Sequence, residues 1–454
     1  MTSKIPLSEL SKILEDNLLQ PVTGELEKFA IGVNTDTRTF PPGAIFLALV
    51  GTQFDGHDFA AMALAKGAIA LIMERQLSLE SEVPQFIVAD TLKAYQQIAR
   101  WWRDRFTIPI IGVTGSVGKT STKELIAAVL GTQGKVLKTQ ANYNNEIGVP
   151  KTLLEITPEH DFAVIEMAMR GLGEIALLTE IANPTIGVIT NVGTAHIGRL
   201  GSKVAIAQAK CELLAQMSPQ STAILNYDNP LLIETAAKIW QGKTITYGLT
   251  GGDLRGEVND SNTVSVEDKD FPLPLRGIHN ASNYLAAIAV AQALEIDITC
   301  LTAGLTVELP QGRSHCHQLP NDILLLDETY NAGFESMQAS LRMLKATPGK
   351  RHLAVLGTMK ELGSYSASLH QQVGITVQEL GIDRLLVLAD EPETETMIAG
   401  AEGVIAECFH DRALLGKRLR NIMLPGDRIL FKASNSVGLN QVVEELRQHF
   451  DLSS

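Results

Sequence analysis

The sequence predicts an α/β protein of three domains, in which a central P-loop-type doubly wound sheet is flanked by an N-terminal α/β domain and a C-terminal Rossmann-like domain. Its 454 residues are more than one hydrophobic core usually organises. Short apolar runs alternate with helical patterns along most of the chain, which is typical of parallel sheets covered by helices. One of these runs leads directly into a glycine-rich loop and then into a helix.

The first predicted domain covers residues 1–107. Its apolar runs are separated by turn clusters such as Asp55-Gly56-His57. The predicted strands are 44–49, 68–73 and 85–88, and the predicted helices are 59–66 and 92–106. Trp101 and Trp102 lie on the last helix, where we expect them to pack against the next domain rather than to bind a ligand.

The second predicted domain covers residues 108–313 and has the layout of a doubly wound parallel sheet. The predicted strands are 108–113, 162–166, 185–190 and 223–226, and an alanine-rich helix is predicted at 279–294. Strand patterning with many turn residues at 252–275 predicts an added hairpin.

The third predicted domain covers residues 314–454. The predicted strands are 323–326, 351–356, 384–388, 403–409 and 428–431, mostly with helices between them. This alternation predicts a second sheet of the nucleotide-binding type.

Composition and charge argue against several classes of protein. Hydrophobic residues make up 45% and charged residues 20%, an ordinary globular mixture, and the net charge is −13. An acidic protein is a poor candidate for sequence-independent binding to nucleic acid or to anionic membrane. We find neither an uncharged apolar run of about 18 residues nor the apolar core of a signal peptide near Met1, so a cytoplasmic protein without a membrane span is expected.

The cysteines are few and scattered. Cys211, Cys300, Cys316 and Cys408 form no C-x-x-C pair, which argues against a disulfide framework and against a zinc site.

The glycine-rich loop predicts phosphate binding. It consists of Gly115, Ser116, Val117, Gly118, Lys119, Thr120 and Ser121. Glycines let backbone N–H groups converge on phosphate oxygens, a lysine reaches the terminal phosphates, and a following hydroxyl can ligate Mg²⁺. The strict Walker pattern would need glycine where Val113 stands, although the order of strand, loop and helix is right. The alternative is a strand-to-helix turn that happens to contain Gly-Lys-Thr.

Three further side chains are candidates for the same sheet edge. Glu166 ends one predicted strand and His196 follows another, and ligands bind at the carboxyl ends of strands in open α/β sheets. Glu166 suits a Mg²⁺ ligand, but a helix cap or ion pair would equally explain it. His196 could instead be a hydrogen-bonded turn residue. Lys210, on a predicted helix, is by itself best interpreted as a surface lysine.

At these residues the chain resembles the Mur ligases, the ATP-dependent amide-forming enzymes of peptidoglycan precursor synthesis, over nearly its whole length. The residues that carry the resemblance are 114–121, 142–150, Asp36-Thr37-Arg38, Pro42-Gly43, Asp55-Gly56-His57, Glu166-Met167, Gly173-Glu174-Ile175, 191–196 and Ala209-Lys210 with Glu212. The segment Asn142-Tyr143-Asn144-Asn145-Glu146-Ile147-Gly148-Val149-Pro150 is similar to that of members adding D-alanyl-D-alanine.

The resemblance implies roles for these residues. Lys119 and Thr120 would bind ATP and a first Mg²⁺, with Glu166 as a further ligand of that ion. His196 would help to hold a second Mg²⁺, and Lys210 falls where the family carries a carbamylated lysine. The nucleotide would also be contacted by Asn283, Arg313 and Asp327, and the substrates by Thr37, Arg38, Asn144, Asn145 and Asn331.

Departures from the family pattern gather in the third domain. Thr358 stands where aspartate is usual, and Ala433 and Asn435 replace the glycine and arginine of a K-G-S-R motif. Glu328, Gly333 and Phe334 likewise differ from the usual Asp, Asn and Pro. Loss of an arginine removes a charge that could pair with a carboxylate, so the acceptor is less firmly predicted than ATP binding.

The implied function is that of a monomeric ligase. It would activate UDP-N-acetylmuramoyl-tripeptide as an acyl phosphate and join it to D-alanyl-D-alanine. The alternatives are another Mur-type or a folylpolyglutamate-type ligase, and a nucleotide-binding homologue that has lost ligation. A dehydrogenase is not favoured, since no G-x-G-x-x-G follows the first strand of the central domain.

Overall fold

The computed structural model describes residues 4–79, 81–259 and 262–451 and confirms a multi-sheet α/β architecture. Met1–Ser3, on which part of the signal-peptide prediction rests, and Asp260 and Ser261 of the predicted hairpin lie outside the described residues. The three main sheets fall within the three predicted domains. The boundaries at 107/108 and 313/314 stay predictions.

The N-terminal sheet has four parallel strands in the order β3-β4-β5-β6, and a two-stranded antiparallel sheet joins β1 and β2. The strands are β1 Ile5–Pro6, β2 Phe29–Ala30, β3 Val33–Asn34, β4 Ile45–Leu47, β5 Ala70–Met73 and β6 Gln85–Ile87, and the helices are α1 Leu7–Ile13, α2 Ala60–Ala65 and α3 Thr91–Arg103. As expected, α3 packs on the central domain, where the indole N–H of Trp102 donates to the carbonyl of Ile156 at 3.0 Å.

The central sheet has nine strands in the order β15-β14-β13-β12-β11-β10-β7-β9-β8. Its strands are β7 Ile110–Thr114, β8 Val136–Lys138, β9 Phe162–Glu166, β10 Ile186–Ile189, β11 Thr222–Asn226, β12 Lys243–Gly248, β13 Leu254–Asn259, β14 Thr263–Val266 and β15 Lys269–Pro272. Its helices are α4 Lys119–Leu130, α5 Gly148–Leu153, α6 Glu174–Ala182, α7 Ile197–Leu200, α8 Lys203–Gln216, α9 Pro230–Ile239 and α10 Ile278–Ala293. Strand β7 lies between β9 and β10, where the chain order reverses, and ligands bind at such switch points.

The predicted hairpin at 252–275 is larger than expected. Three strands, β13 to β15, extend the sheet, the last two pairings being antiparallel. Strands β8 and β12 were missed because β8 is short and β12, of sequence Lys-Thr-Ile-Thr-Tyr-Gly, has only two strongly apolar side chains.

The C-terminal sheet has six strands in the order β16-β17-β21-β18-β19-β20, parallel except for the β16–β17 pair. Its strands are β16 His315–Leu319, β17 Ile323–Asp327, β18 Arg351–Gly357, β19 Arg384–Leu388, β20 Ile405–Phe409 and β21 Asp427–Lys432, and its helices are α11 Phe334–Ala346, α12 Ser366–Glu379, α13 Thr396–Gly400, α14 Arg412–Ile422 and α15 Leu439–Asp451. Edge strand β16 was missed because His-Cys-His-Gln-Leu lacks an apolar alternation.

Candidate active site

The glycine-rich loop joins β7 to α4, as predicted. Gly118 precedes the helix with φ +82°, a left-handed conformation that favours glycine. A Cβ there would lie 2.7 Å from Oδ1 of Asn283, so both backbone and space require glycine. The side chain of Lys119 folds back, and its ammonium donates to the carbonyl of Gly115 at 2.8 Å. The loop is therefore shaped before any ligand enters.

The segment after β10 braces this loop. Asn191 accepts from the backbone of Ser116 at 3.1 Å and, through Oδ1, from the N–H of Val117 at 3.0 Å. The hydroxyl of Ser116 accepts from the N–H of Gly193 at 2.8 Å. These hydrogen bonds connect the carboxyl ends of β7 and β10, which are neighbours in the parallel sheet.

Glu166 ends β9 beside the loop, as predicted. Its side chain is buried, and Oε1 accepts from the amide of Asn144 at 2.8 Å. The other oxygen, Oε2, is buried without a hydrogen-bond partner. An unpartnered buried carboxylate oxygen is costly and suits a cation.

His196 lies in the left-handed region, with φ +66°, where it precedes the short helix α7. Its Nδ1 lies 2.5 Å from Oε2 of Glu361 in the C-terminal domain, which is an ion pair when the imidazole is protonated. Burial lowers the pKa of His196 against the opposing effect of Glu361. A neutral imidazole is the form that binds a metal.

Lys210 is buried on α8, with 1% of its surface exposed, rather than lying at the surface as its sequence context alone suggested. Its ammonium makes no ion pair or hydrogen bond with any of the described residues. Burial and the charge of Lys119 lower its pKa well below the usual value. Lys119 has its own pKa lowered by burial, partly offset by Glu166. Several cationic groups thus share one buried region, which favours anionic ligands.

A cavity of about 770 Å³ opens between the central and C-terminal domains. Its wall includes the whole of 116–121 together with Arg170, Asn191, His196, Asn283, Arg313, Asn331, Glu335, Lys360, Glu361, Lys432 and Ser434. Glu166 and Lys210 are buried and do not belong to this wall. The cavity is large enough for a nucleotide and part of a second substrate.

Among Asn283, Arg313 and Asp327, the predicted nucleotide contacts outside the loop, Arg313 is the most exposed to the cavity. Its guanidinium stacks 4.1 Å from the ring centre of Tyr330, and its Nε is buried without a hydrogen-bond partner. The amide of Asn283 lies against Gly118 and is used within the protein, accepting from Thr122 at 3.2 Å.

Asp327 is set back from the cavity, although it was predicted to face the ribose. Its carboxylate is buried and accepts from the backbone of Thr329 at 3.0 Å and from its hydroxyl at 2.6 Å. Asp327 ends β17, one residue beyond the predicted strand 323–326, and its contact with the nucleotide stays a prediction.

The predicted substrate residues are spread over two domains. Asn331 lines the cavity, whereas Asn145 caps α5, accepting from the N–H of Gly148 at 2.9 Å. Thr37 is buried at the N-terminal domain, and Arg38 is exposed and paired with Asp36 at 2.6 Å. Asn144 is held by Glu166. The structure therefore brings Asn331 to the cavity but leaves the others outside its wall.

Sequence reasoning missed two glutamates that join the domains. Glu335, at the start of α11, accepts from the N–H of Thr194 at 2.8 Å and from its hydroxyl at 3.0 Å. Glu361 lies against His196 and 3.3 Å from Arg199. Nothing local in the sequence marks Glu335, whereas Glu361 lies three residues after Thr358, one of the positions at which the chain departs from the family pattern.

The substituted residue Thr358 has an acidic neighbour. Its hydroxyl donates to the carboxylate of Asp390, which also pairs with Lys360 at 2.6 Å. A carboxylate is thus present here from Asp390, two residues after the end of β19, although position 358 itself is not acidic. Lys432, whose pKa burial lowers, donates to the carbonyl of Asn331 at 3.0 Å.

Comparison with known proteins adds independent information. Residues 31–102 match the Mur ligase family catalytic domain, residues 113–291 the Mur ligase middle domain, and residues 312–435 the Mur ligase glutamate ligase domain. UDP-N-acetylmuramoyl-tripeptide–D-alanyl-D-alanine ligase of Synechocystis is 60% identical over 448 residues, covering 98% of both chains. The Escherichia coli enzyme of that name is 36% identical, covering 98% of this chain and 99% of its own.

Solved structures agree with these sequence matches. MurF from Acinetobacter baumannii has a TM-score of 0.88 at 29% identity, covering 98% of this chain and 99% of its own. MurF ligase from Thermotoga maritima in complex with ADP has a TM-score of 0.83 at 30% identity, covering 93% of this chain and 98% of its own.

Proposed function

Because the chain belongs to the Mur ligase family, we propose that its cavity joins D-alanyl-D-alanine to UDP-N-acetylmuramoyl-tripeptide using ATP, in peptidoglycan precursor synthesis. The chain is an ATP-dependent ligase, as the motifs predicted. The observation that carries the proposal is that the phosphate loop and the C-terminal residues Lys360 and Lys432 line one cavity. A nucleotide on the loop and an acceptor on the C-terminal domain would therefore meet.

The chemistry has two steps. A carboxylate oxygen of the tripeptide attacks the γ-phosphorus of ATP, which releases ADP and leaves an acyl phosphate. The amine nitrogen of the dipeptide then attacks the acyl carbon, phosphate leaves, and the amine loses its proton as the amide forms. The N–H groups of 115–121 and the ammonium of Lys119 offset the phosphate charge and align the reacting groups. Lys119 must first leave the carbonyl of Gly115.

The residues present fit Mg²⁺. Glu166 offers a buried oxygen without a partner, and the hydroxyl of Thr120 lies on the phosphate loop. We infer that these two hold one ion, and that His196 helps to hold a second. Such ions would neutralise anionic charge among the phosphates.

We also infer that Lys210 is carbamylated. Its amine nitrogen would add to the carbon of CO₂ and lose a proton, which requires a neutral amine. Burial and the charge of Lys119 favour the neutral form. The resulting anion would relieve the concentration of positive charge and supply an oxygen ligand for the second ion.

The two ends of UDP-N-acetylmuramoyl-tripeptide would contact different domains. We propose that the UDP moiety contacts Thr37 and Arg38, and that the peptide passes Asn144 and Asn145 towards Asn331. Support comes from the approach of the two domains to each other. The pKa of Asp36 is lowered mainly by its hydrogen bonds with Arg38, and to a smaller extent by the charge of Lys151 on α5. A monomeric enzyme in the cytoplasm is proposed. Among the described residues, no helix is both long and apolar enough to cross a bilayer.

The decisive experiment supplies ATP, Mg²⁺, UDP-N-acetylmuramoyl-tripeptide and D-alanyl-D-alanine, and looks for the pentapeptide product by mass. A parallel panel of single amino acids and folate substrates, with ADP release as the readout, separates the other ligases. Product with a different acceptor would refute the proposed acceptor. ADP binding without ligation for any acceptor would identify a homologue impaired by Thr358, Ala433 or Asn435.

The carbamate has a separate test. Lys210→Ala should be inactive and should regain part of its activity when a short carboxylic acid is added, because the acid can occupy the place of the carbamate. The control is Lys203→Ala, at the exposed start of the same helix, which should behave as the wild type. Full activity of Lys210→Ala without additive would refute the role.

A further inference from the structure

A group of potential metal ligands lies at the outer edge of the C-terminal sheet, away from the cavity wall. It consists of Glu395, Cys408 and His410, whose ligand atoms all lie within 4.8 Å of one another. Within the described part of the chain, it is the one group of three His, Cys, Asp or Glu side chains arranged in this way. We propose that these residues form a binding site for a soft divalent cation, Zn²⁺.

The fold places the three side chains together from two elements. Cys408 lies on the edge strand β20, and His410 comes directly after the last residue of that strand. Glu395 ends the single 3₁₀ turn Pro392–Glu395 that precedes α13. No C-x-x-C pair is needed, because the third ligand comes from a distant part of the sequence.

The histidine is oriented for coordination. Nδ1 of His410 lies 3.1 Å from the carbonyl oxygen of Ala389, to which it can only donate. With the proton on Nδ1, the lone pair of Nε2 is free and faces Glu395. A backbone carbonyl that fixes the tautomer in this way is the usual outer partner of a metal-bound histidine.

The distance between the nitrogen and oxygen ligand atoms fits a tetrahedral ion. Zinc bonds of about 2.0–2.3 Å place neighbouring ligand atoms roughly 3.3–3.8 Å apart. Nε2 of His410 lies 3.6 Å from Oε1 of Glu395. A surface ion pair would explain these two residues, but it does not explain why the sulfur of Cys408 lies within the same 4.8 Å.

The donor set selects the metal. Thiolate and imidazole favour Zn²⁺ over Mg²⁺, whose ligands are oxygens, so the site differs in kind from the one around Glu166. The thiol of Cys408 would lose its proton to solvent as the sulfur–zinc bond forms, and water would fill the fourth position. Glu395 and His410 are exposed, with side-chain fractions of 52% and 68%, so an ion can enter without opening the fold.

The site would brace a turn that contacts the cavity loop. Glu395 follows Thr394, whose hydroxyl oxygen lies 2.7 Å from that of Thr358. Two residues after Thr358, Lys360 enters the cavity wall. A bound ion would therefore fasten this turn to β20 without touching substrate.

The test uses the full-length chain, freed of metal by a chelator and titrated with Zn²⁺ in excess Mg²⁺. We expect one Zn²⁺ per chain, and binding weakened at least tenfold in Cys408→Ser and in His410→Ala. The matched control is Cys300→Ser, an exposed cysteine of the central domain, which should bind Zn²⁺ as the wild type does. Co²⁺ should give a thiolate charge-transfer band that Cys408→Ser lacks.

A second variant distinguishes Zn²⁺ bound at the proposed site from Zn²⁺ bound at the catalytic site. Glu166→Gln should keep the Zn²⁺ site and the cobalt band. The proposal is overturned if wild type and Cys408→Ser bind Zn²⁺ equally, or if Glu166→Gln alone abolishes binding. Circular dichroism of each variant shows whether it is folded. Glu395→Gln is an independent, isosteric test of the third ligand, because it changes an exposed side chain that the fold does not need.

Discussion

The contact between Glu335 and Thr194 should control how the C-terminal domain closes on the nucleotide. The carboxylate accepts two hydrogen bonds, from the N–H at 2.8 Å and from the hydroxyl at 3.0 Å. Thr194 is buried two residues before His196, so the same contact sets the position of the proposed metal ligand. Glu335→Ala removes both bonds without touching the phosphate loop.

The magnitude follows from the number and exposure of these bonds. A hydrogen bond to a charged group contributes about 1.5–3 kcal/mol, and we discount the pair by half because Glu335 is only half-buried. The closed arrangement should lose about 1.5–3 kcal/mol, which corresponds to roughly 12- to 140-fold. Glu335→Gln keeps one carbonyl acceptor and loses the charge, so it should cost about 1 kcal/mol, or roughly fivefold.

The assay separates closure from nucleotide binding. We expect kcat/KM for D-alanyl-D-alanine to fall by these factors, while calorimetry finds ADP affinity within about twofold of wild type. Glu379→Ala, at an exposed glutamate ending α12, is the control and should change neither quantity. Unchanged kcat/KM in Glu335→Ala, or an equal loss of ADP affinity, would refute the reasoning.

Three further predictions concern single contacts. Lys119→Ala should abolish turnover but barely shift Tm, since among the described residues its ammonium bonds only to carbonyls of its own loop. ADP-release kinetics and a melting curve check both, and an active variant would refute the site. Gly198→Ala places a Cβ 2.5 Å from the backbone nitrogen of Gly363, so ligation should fall while ADP affinity is kept; retained ligation would contradict this. Trp102→Phe leaves the carbonyl of Ile156 unpaired and should cost about 1–3 kcal/mol in urea unfolding, with an unchanged midpoint as the contrary result.

Much of the fold was predictable because its strands are buried and apolar. The strand from Phe162 to Glu166 was predicted at its observed bounds, as was the one from Arg384 to Leu388. Strands at the edges were missed, since a strand such as His315–Leu319 has one partner and need not be apolar. Periodicity therefore identifies central strands better than those at the rim.

The site was predictable where chemistry is local in sequence. The loop around Lys119 has a fixed order of residue types, and Glu166 and His196 were located by the strands that they follow. Burial of Lys210 was not deducible from its helix, because the neighbouring residues alternate without a clear polar face; the family resemblance alone pointed to it. Glu335 was not found, since its partner lies in another domain.

The close approach of Gly198 and Gly363 has a consequence for how such enzymes can recombine. Backbone meets backbone at this seam, where the N–H of Gly198 donates to the carbonyl of Glu361 at 3.2 Å and Gly363 has φ +54°. Neither glycine can be replaced by a residue with a side chain unless the central and C-terminal domains move apart. A chimera that takes its last domain from a distant homologue will assemble only if both glycines are inherited together.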